Sequence, residues 1–232
     1  MRKAILVSSI VLILVSAFIL TACAPKELTA NDVVQKMADN SKKLKTGHTD
    51  MQMNISAAGQ TITGSMQGIF ENPDKSLISM DLLGTHVEVL TQSPADVYQR
   101  PSSSQAWQKV PQSTTSQFGN ALDISKDPEK LLKYYKNLKL IGKEAVDEVE
   151  CYHLSFELDL MEVMTGLGVN TASLAGASFK GPAAIESWVG SKDFFTRKMN
   201  EKFTMLSEGQ EVIVDVTVHL TELNKPVEIP KP

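Results

Sequence analysis

The sequence predicts an antiparallel α+β domain dominated by one sheet. Three observations carry that expectation. Apolar side chains recur at every second position over long runs, as in Met51, Met53, Ile55 and Ala57 or Val212, Val214, Val216 and Val218. That is the period of a half-buried strand. Short polar turns at Ala58-Gly59-Gln60, Glu71-Asn72-Pro73-Asp74 and Glu208-Gly209-Gln210 separate the runs, so successive strands read as a meander. Helical periodicity is confined to three stretches early and mid-chain, so helices and strands segregate rather than alternate.

The N-terminus stands apart from that domain. Arg2 and Lys3 precede residues 4–22, which carry no charge, and the run ends in Leu20-Thr21-Ala22-Cys23. Positive, apolar and small-residue segments in that order mark a secretory signal peptide. The alternative is an uncleaved transmembrane anchor, since such a helix needs about 20 apolar residues. Leu20-Thr21-Ala22-Cys23 resembles the lipobox of bacterial lipoproteins. That resemblance implies cleavage before Cys23, a diacylglyceryl group on its sulfur and acylation of the new N-terminus. The organisation expected is then a signal peptide over 1–22, a lipidated tether over 23–28 and a domain over 29–232. Two or three acyl chains satisfy the need for more than one lipid signal in stable anchoring, so the domain is expected outside the cytoplasm, anchored to the cell membrane.

Within the domain, Thr29-Ala30-Asn31-Asp32 reads as a helix start with Thr29 as N-cap. Val33, Met37 and Leu44 share a helical face, and Gly47 reads as the stop. Strands follow through Ile62, Gly64, Met66, Gly68 and Phe70, then Ile78, Met80 and Leu82, then Val87 and Val89. Gly64 and Gly68 within one strand point to bending or close approach by another group. Val97-Tyr98 and residues 107–110 read as two more strands, and 112–117 as loop. Asp127-Pro128-Glu129 opens a second helix with Leu131, Leu132, Tyr135 and Leu138 as its apolar face. Strands return over 143–146 and 149–158, and a short helix over 160–167. Residues 170–182, rich in Ala, Ser and Gly, read as a mobile flap. The segments 185–189, 195–206 and 212–220 complete about nine to eleven strands.

Charge and motifs narrow the function. Removing 1–22 from the 232-residue chain takes Arg2 and Lys3 with it, leaving 21 basic side chains against 27 acidic ones, a net charge of −6. That balance excludes nucleic acid as a partner. Cys151 has no second cysteine once Cys23 is lipidated; it reads as a small buried residue, with intermolecular pairing as the alternative. His48, His86, His153 and His219 lack metal spacing. No phosphate loop, dinucleotide fingerprint or calcium loop occurs, so no cofactor and no catalytic residue is expected. Gly176-Ala177-Ser178-Phe179-Lys180-Gly181 has one residue too many for a nucleophile elbow.

Methionine is the distinctive residue. Met51, Met53, Met66 and Met80 lie on the inward parity of adjacent strands, with Met199 and Met205 later. Two readings stand: Met as core filler, or Met as an adaptable lining for varied apolar partners. In the second, small residues between large flexible ones leave a hollow, and helices act as a lid over an apolar ligand. Ile62, Phe70 and Trp188 complete the candidate lining with the six methionines.

The arrangement resembles a known family. Residues Asn31-Asp32-Val33-Val34-Gln35-Lys36-Met37, the stretch from Leu140 through Asp147-Glu148-Val149 to Leu154, Glu186-Ser187-Trp188-Val189-Gly190 and Leu223-Asn224-Lys225-Pro226 carry the likeness. With the lipobox they resemble the LolA/LolB-like lipoprotein superfamily, especially the LppX/LprG-type lipoproteins. Glu148 stands where the family's middle turn has glycine, and Gly190 departs from its later Trp-Ile-Asp. The resemblance implies one strongly curved antiparallel sheet, a half-open β-barrel wrapped over a few helices, with an apolar cavity for acyl chains or lipidated molecules. It leaves a carrier or acceptor of an amphiphile, a sensor that docks on an envelope protein partner, and an enzyme as the three classes to separate.

Overall fold

The computed structural model describes residues 27–111, 129–166 and 177–232. The apolar N-terminal run, Cys23, the 112–117 loop, the Asp127-Pro128 pair and most of the expected flap lie outside the described residues. Among those described, no helix is long and apolar enough to cross a membrane.

Twelve strands form one antiparallel sheet. In chain order they are β1 (Thr46–Ala57), β2 (Gln60–Glu71), β3 (Lys75–Leu82), β4 (Thr85–Ser93), β5 (Asp96–Arg100), β6 (Gln108–Lys109), β7 (Lys136–Val146), β8 (Val149–Leu158), β9 (Ala177–Phe179), β10 (Ala183–Gly190), β11 (Thr196–Ser207) and β12 (Gln210–Thr221). Their spatial order is β6-β5-β4-β3-β2-β1-β12-β11-β10-β8-β7, with β9 also on β11. The first and last long strands therefore meet mid-sheet, where Met51 faces Val218. The path has two ends and does not close, which gives the curved half-open barrel the sequence led us to expect.

Turn chemistry sets the register. Four hairpins close through two residues with positive φ: Ala58-Gly59 (51° and 78°), Leu83-Gly84 (53° and 75°), Glu208-Gly209 (52° and 79°) and Asp147-Glu148 (48° and 66°). Two left-handed residues match the right-handed twist of the flanking strands. Three of the pairs place Gly second, where φ > 0 costs least. Glu148 makes the same turn with a side chain. β9 and β10 lie in line along β11: Phe179 faces Met205 and Ala184 faces Lys202. Gly181 (φ 78°) turns the chain between them. The last part of the expected flap is thus sheet.

Among the described residues three helices accompany the sheet: α1 (Ala30–Ser41), α2 (Glu129–Leu132) and α3 (Leu160–Gly166). The start of α1 is the capping box read from the sequence. The Thr29 N–H donates to Asp32 Oδ2 at 2.8 Å, and the Asp32 N–H donates to Thr29 Oγ1 at 3.2 Å. Its end differs from expectation. The helix stops at Ser41, whose hydroxyl bonds the Ala38 carbonyl at 2.7 Å, and Gly47 is not its cap. Gly47 sits inside β1, where a Cβ would lie 2.7 Å from Phe70 Cζ and 2.9 Å from Leu223 Cδ2. That glycine is required by packing.

The core lies at the β7–β8–β10 side. Val33 and Val34 of α1 pack on Leu154 and Val189, joined by Met37, Leu132, Leu138 and Leu140. Beside them, Phe156, Ala183 and Ile185 collect Leu160, Met199 and Phe203. Cys151 is fully buried and unpaired, as expected of a small apolar residue.

Candidate ligand-binding site

Cross-strand register lines up the inner face, the face on which α1 packs. One row runs Val87–Met80–Met66–Met51–Val218–Met199–Ser187–Leu154–Leu140 across nine neighbouring strands, each residue directly opposite the next. Opposed residues of adjacent strands share a face, so Met51, Met66, Met80 and Met199 form a single line. The next row is Leu82–Gly64–Met53–Val216–Glu201–Ile185–Phe156. A third holds Ile62, Ile55, Val214 and Phe203, and a fourth Ala57, Val212, Met205 and Phe179. Phe70 stands opposite Gly47 beyond the first row.

Eight of the nine candidate lining residues therefore share one face. Trp188 does not. It faces Lys198 and His153 on the other side of the sheet, because it is one residue off the parity of Ile185 and Ser187 and alternation reverses the side chain. There its ring stacks on His153 at a centroid distance of 4.4 Å, with Lys198 Nζ 4.7 Å from the ring centroid. Its indole N–H donates to the Glu144 carboxylate. Cys23 lies outside the described residues.

The inner face is unevenly covered. Leu154 and Ile185 are buried beneath the helices, whereas Ile62 (38%), Met80 (37%) and Leu82 (40%) keep over a third of their surface exposed. Over Gly64 a Cβ would meet Leu82 Cδ1 at 2.9 Å and Met53 Cε at 3.5 Å. The close approach expected at this glycine is by those flexible side chains, folded into the gap it leaves.

Glu201 and Tyr135 are ionisable groups on this face that the methionine pattern did not announce. Glu201 stands between Val216 and Ile185, and burial pushes its carboxyl above the ordinary value. Tyr135 stacks on Phe156 with ring centroids 4.1 Å apart. Its phenol is pushed up to about 12, chiefly by burial and then by the nearby Glu201 charge. The signal for Glu201 was present in the sequence: on β11 it shares its parity with Met199, Phe203 and Met205, not with Asn200, Lys202 and Thr204.

Elsewhere the described residues hold no group of three His, Cys, Asp or Glu side chains placed to bind a metal. An open recess of about 560 Å³ beside α3 is lined by Tyr134, Asp159, Met161, Glu162, Thr165 and Gly166. It shares no residue with the methionine rows.

No protein-family model matches the sequence, and no curated protein does. Solved structures do. LprF from Mycobacterium bovis superposes with a TM-score of 0.55 at 15% identity, covering 88% of this chain and 96% of its own. The Mycobacterium tuberculosis lipoprotein LppX gives 0.54 at 11% identity, covering 87% and 98%. This chain has the LprF and LppX fold. A LolA superfamily protein from Nitrosomonas europaea also aligns over 88% of this chain and 99% of its own at 11% identity. Its TM-score of 0.34 is too low to add weight. The likeness to LprF and LppX covers 88% and 87% of this chain and matches the fold that the resemblance implied.

Proposed function

We propose that this protein is a membrane-anchored lipoprotein of the bacterial cell envelope that holds an acyl-chain-bearing lipid or lipidated molecule on the inner face of its sheet, as carrier or acceptor. The observation that carries this reading is the methionine row. Met51, Met66 and Met80 are aligned on three adjacent strands, and Met80 and Leu82 beside them remain exposed. Contiguous apolar surface left open to water marks a binding site, and methionine's flexible thioether suits a lining that adapts to chains of differing shape. Each buried methylene contributes about 0.8 kcal/mol, so a 14-carbon chain supplies on the order of 10 kcal/mol before ordering costs. The fold shared with LprF and LppX supports the reading, as does the lipobox at Cys23, which supplies the tether, with 1–22 as signal and 29–232 as the binding domain. Such a protein needs no catalytic group.

The test is native mass spectrometry of the full chain, extracted from a lipid-containing host in a detergent that is removed in the gas phase. Adducts of lipid mass are expected on wild type beyond the covalent acyl groups. They should fall severalfold in Met66→Lys and Met80→Lys variants that keep the wild-type circular dichroism. A mass without adducts after incubation with varied lipids would refute the reading and turn the search to a protein partner.

A further inference from the structure

Among the described residues two buried side-chain nitrogens have no hydrogen-bond partner, and one of them is Nε2 of His153. This histidine lies on the outer face of β8, away from the methionine rows, with its side chain 15% exposed. Its ring stands between two carboxylates carried by the strands on either side. Nδ1 is 3.1 Å from Glu144 Oε1 on β7, and Nε2 is 3.7 Å from Glu186 Oε1 on β10. The Trp188 ring stacks on the imidazole, and its N–H donates to the same Glu144 carboxylate. The other charges around it are Lys198 of β11, over the Trp188 ring, and Lys139 of β7, opposite Ser155. Arg197 and Asp193 are close enough to Cys151, two residues along β8, to act on its thiol.

A neutral imidazole has one N–H and one lone pair. Between two carboxylates it satisfies one and turns the lone pair on the other, whichever tautomer it adopts. The geometry is that half-made state, close on the Glu144 side and open on the Glu186 side. An imidazolium donates from both nitrogens. Drawing Glu186 in to the roughly 2.9 Å of a hydrogen bond then completes a bridge from β7 through β8 to β10. The bridge matters most to β7, which ends the sheet and is paired with β8 alone. Its ladder shifts register between Lys136 and Lys139 and again between Leu140 and Gly142. Gly142, opposite His153, brings no side chain to the pairing, so Glu144 makes the side-chain tie at this point. Leu138 and Leu140 of the same strand pack with Val33 and Val34 of α1, so the hold on β7 extends to that helix. We propose that His153 is a proton-operated latch at the edge of the sheet. Protonation joins Glu144 and Glu186 through its ring and fastens β7 with the wing that α1 covers; deprotonation frees the Glu186 side and loosens that edge. Histidine is the side chain suited to this, since its charge changes between about pH 5 and 8.

The test uses the full chain in phosphatidylcholine nanodiscs with Trp107→Phe, which leaves Trp188 as the only tryptophan. An imidazolium stacked on indole quenches its emission, so Trp188 fluorescence between about pH 8 and 5 reports the charge on His153. Amide exchange, corrected for its intrinsic pH dependence, is followed on the same samples. Protection of β7 and α1 peptides is expected to rise about three- to tenfold as the fluorescence falls, the worth of one hydrogen bond. Peptides of β4 should not change with it. In Glu186→Gln the fluorescence step should remain, because His153 still meets Glu144. The rise in protection should disappear there, since a glutamine amide can donate to neutral Nε2 as readily as accept from its protonated form. A rise that survives in Glu186→Gln would overturn the proposal. So would protection that stays level while the fluorescence falls, or fluorescence that does not fall above about pH 5.

Discussion

Strands β8 and β3 carry the same alternation of apolar and polar side chains, yet their inner residues have different fates. Leu154 of β8 is fully buried beneath α1, while Met80 of β3, on the same cross-strand row, is 37% exposed. Both positions read from the sequence as inward-facing. The difference lies in what covers them: a capped amphipathic helix over one wing of the sheet, and open space over the other among the described residues. One wing thus holds the fold together, and the other keeps apolar surface exposed.

That division has consequences of decreasing size. Leu154→Ala should cost about 3 kcal/mol in urea unfolding, the range for truncating a buried leucine. Met80→Ala should cost less, about 1–2 kcal/mol, since over a third of its surface is still exposed. Equal losses would erase the distinction between the wings. Thr29→Ala removes the capping box and should destabilise the chain by about 1 kcal/mol. The loss should appear as faster amide exchange in α1, while β2 and β3 stay protected.

A smaller effect of the opposite sign is expected at the β7–β8 turn. Glu148 holds φ at 66° where three other hairpins use glycine, so Glu148→Gly should stabilise by about 0.5–1 kcal/mol. A loss instead would mean that the Glu148 side chain contributes something the turn geometry does not reveal.

The last effect is a slope. Burial raises the Glu201 carboxyl above its ordinary 4.5. Between the unfolded and folded values the native state binds a proton that the unfolded chain does not, so stability falls as pH rises through that window. Below it the group imposes no penalty. Glu201→Leu should flatten the decline, most visibly as a gain in melting temperature at neutral and higher pH. A slope identical to wild type would place the carboxyl in water.

Much of this was legible in the sequence because period-two alternation and two-residue turns are local signals. The register that aligns Met51, Met66 and Met80 follows from hairpins closed at Ala58-Gly59 and at Asn72-Pro73-Asp74. Three things were hidden, each for a physical reason. Gly47 reads as a helix stop until the ring of Phe70, on another strand, is seen to need its missing side chain. Trp188 attracts notice as a large aromatic, but parity puts it against His153 on the outer face. Glu201 looks like one charge in a mixed strand, and only its neighbours Val216 and Ile185 show that it stands half-buried on the inner face.

The most direct test of an acyl chain on the open wing is methyl NMR. Full chain with ¹³C-methyl methionine, in nanodiscs of deuterated lipid, would be titrated with a protonated 16-carbon ester. The expected result is nuclear Overhauser contacts from the chain to the Met51, Met66 and Met80 methyls, with none to Met37 on the packed face of α1. Contacts absent from those three, or confined to Met37, would contradict the placement of the ligand site on the uncovered wing.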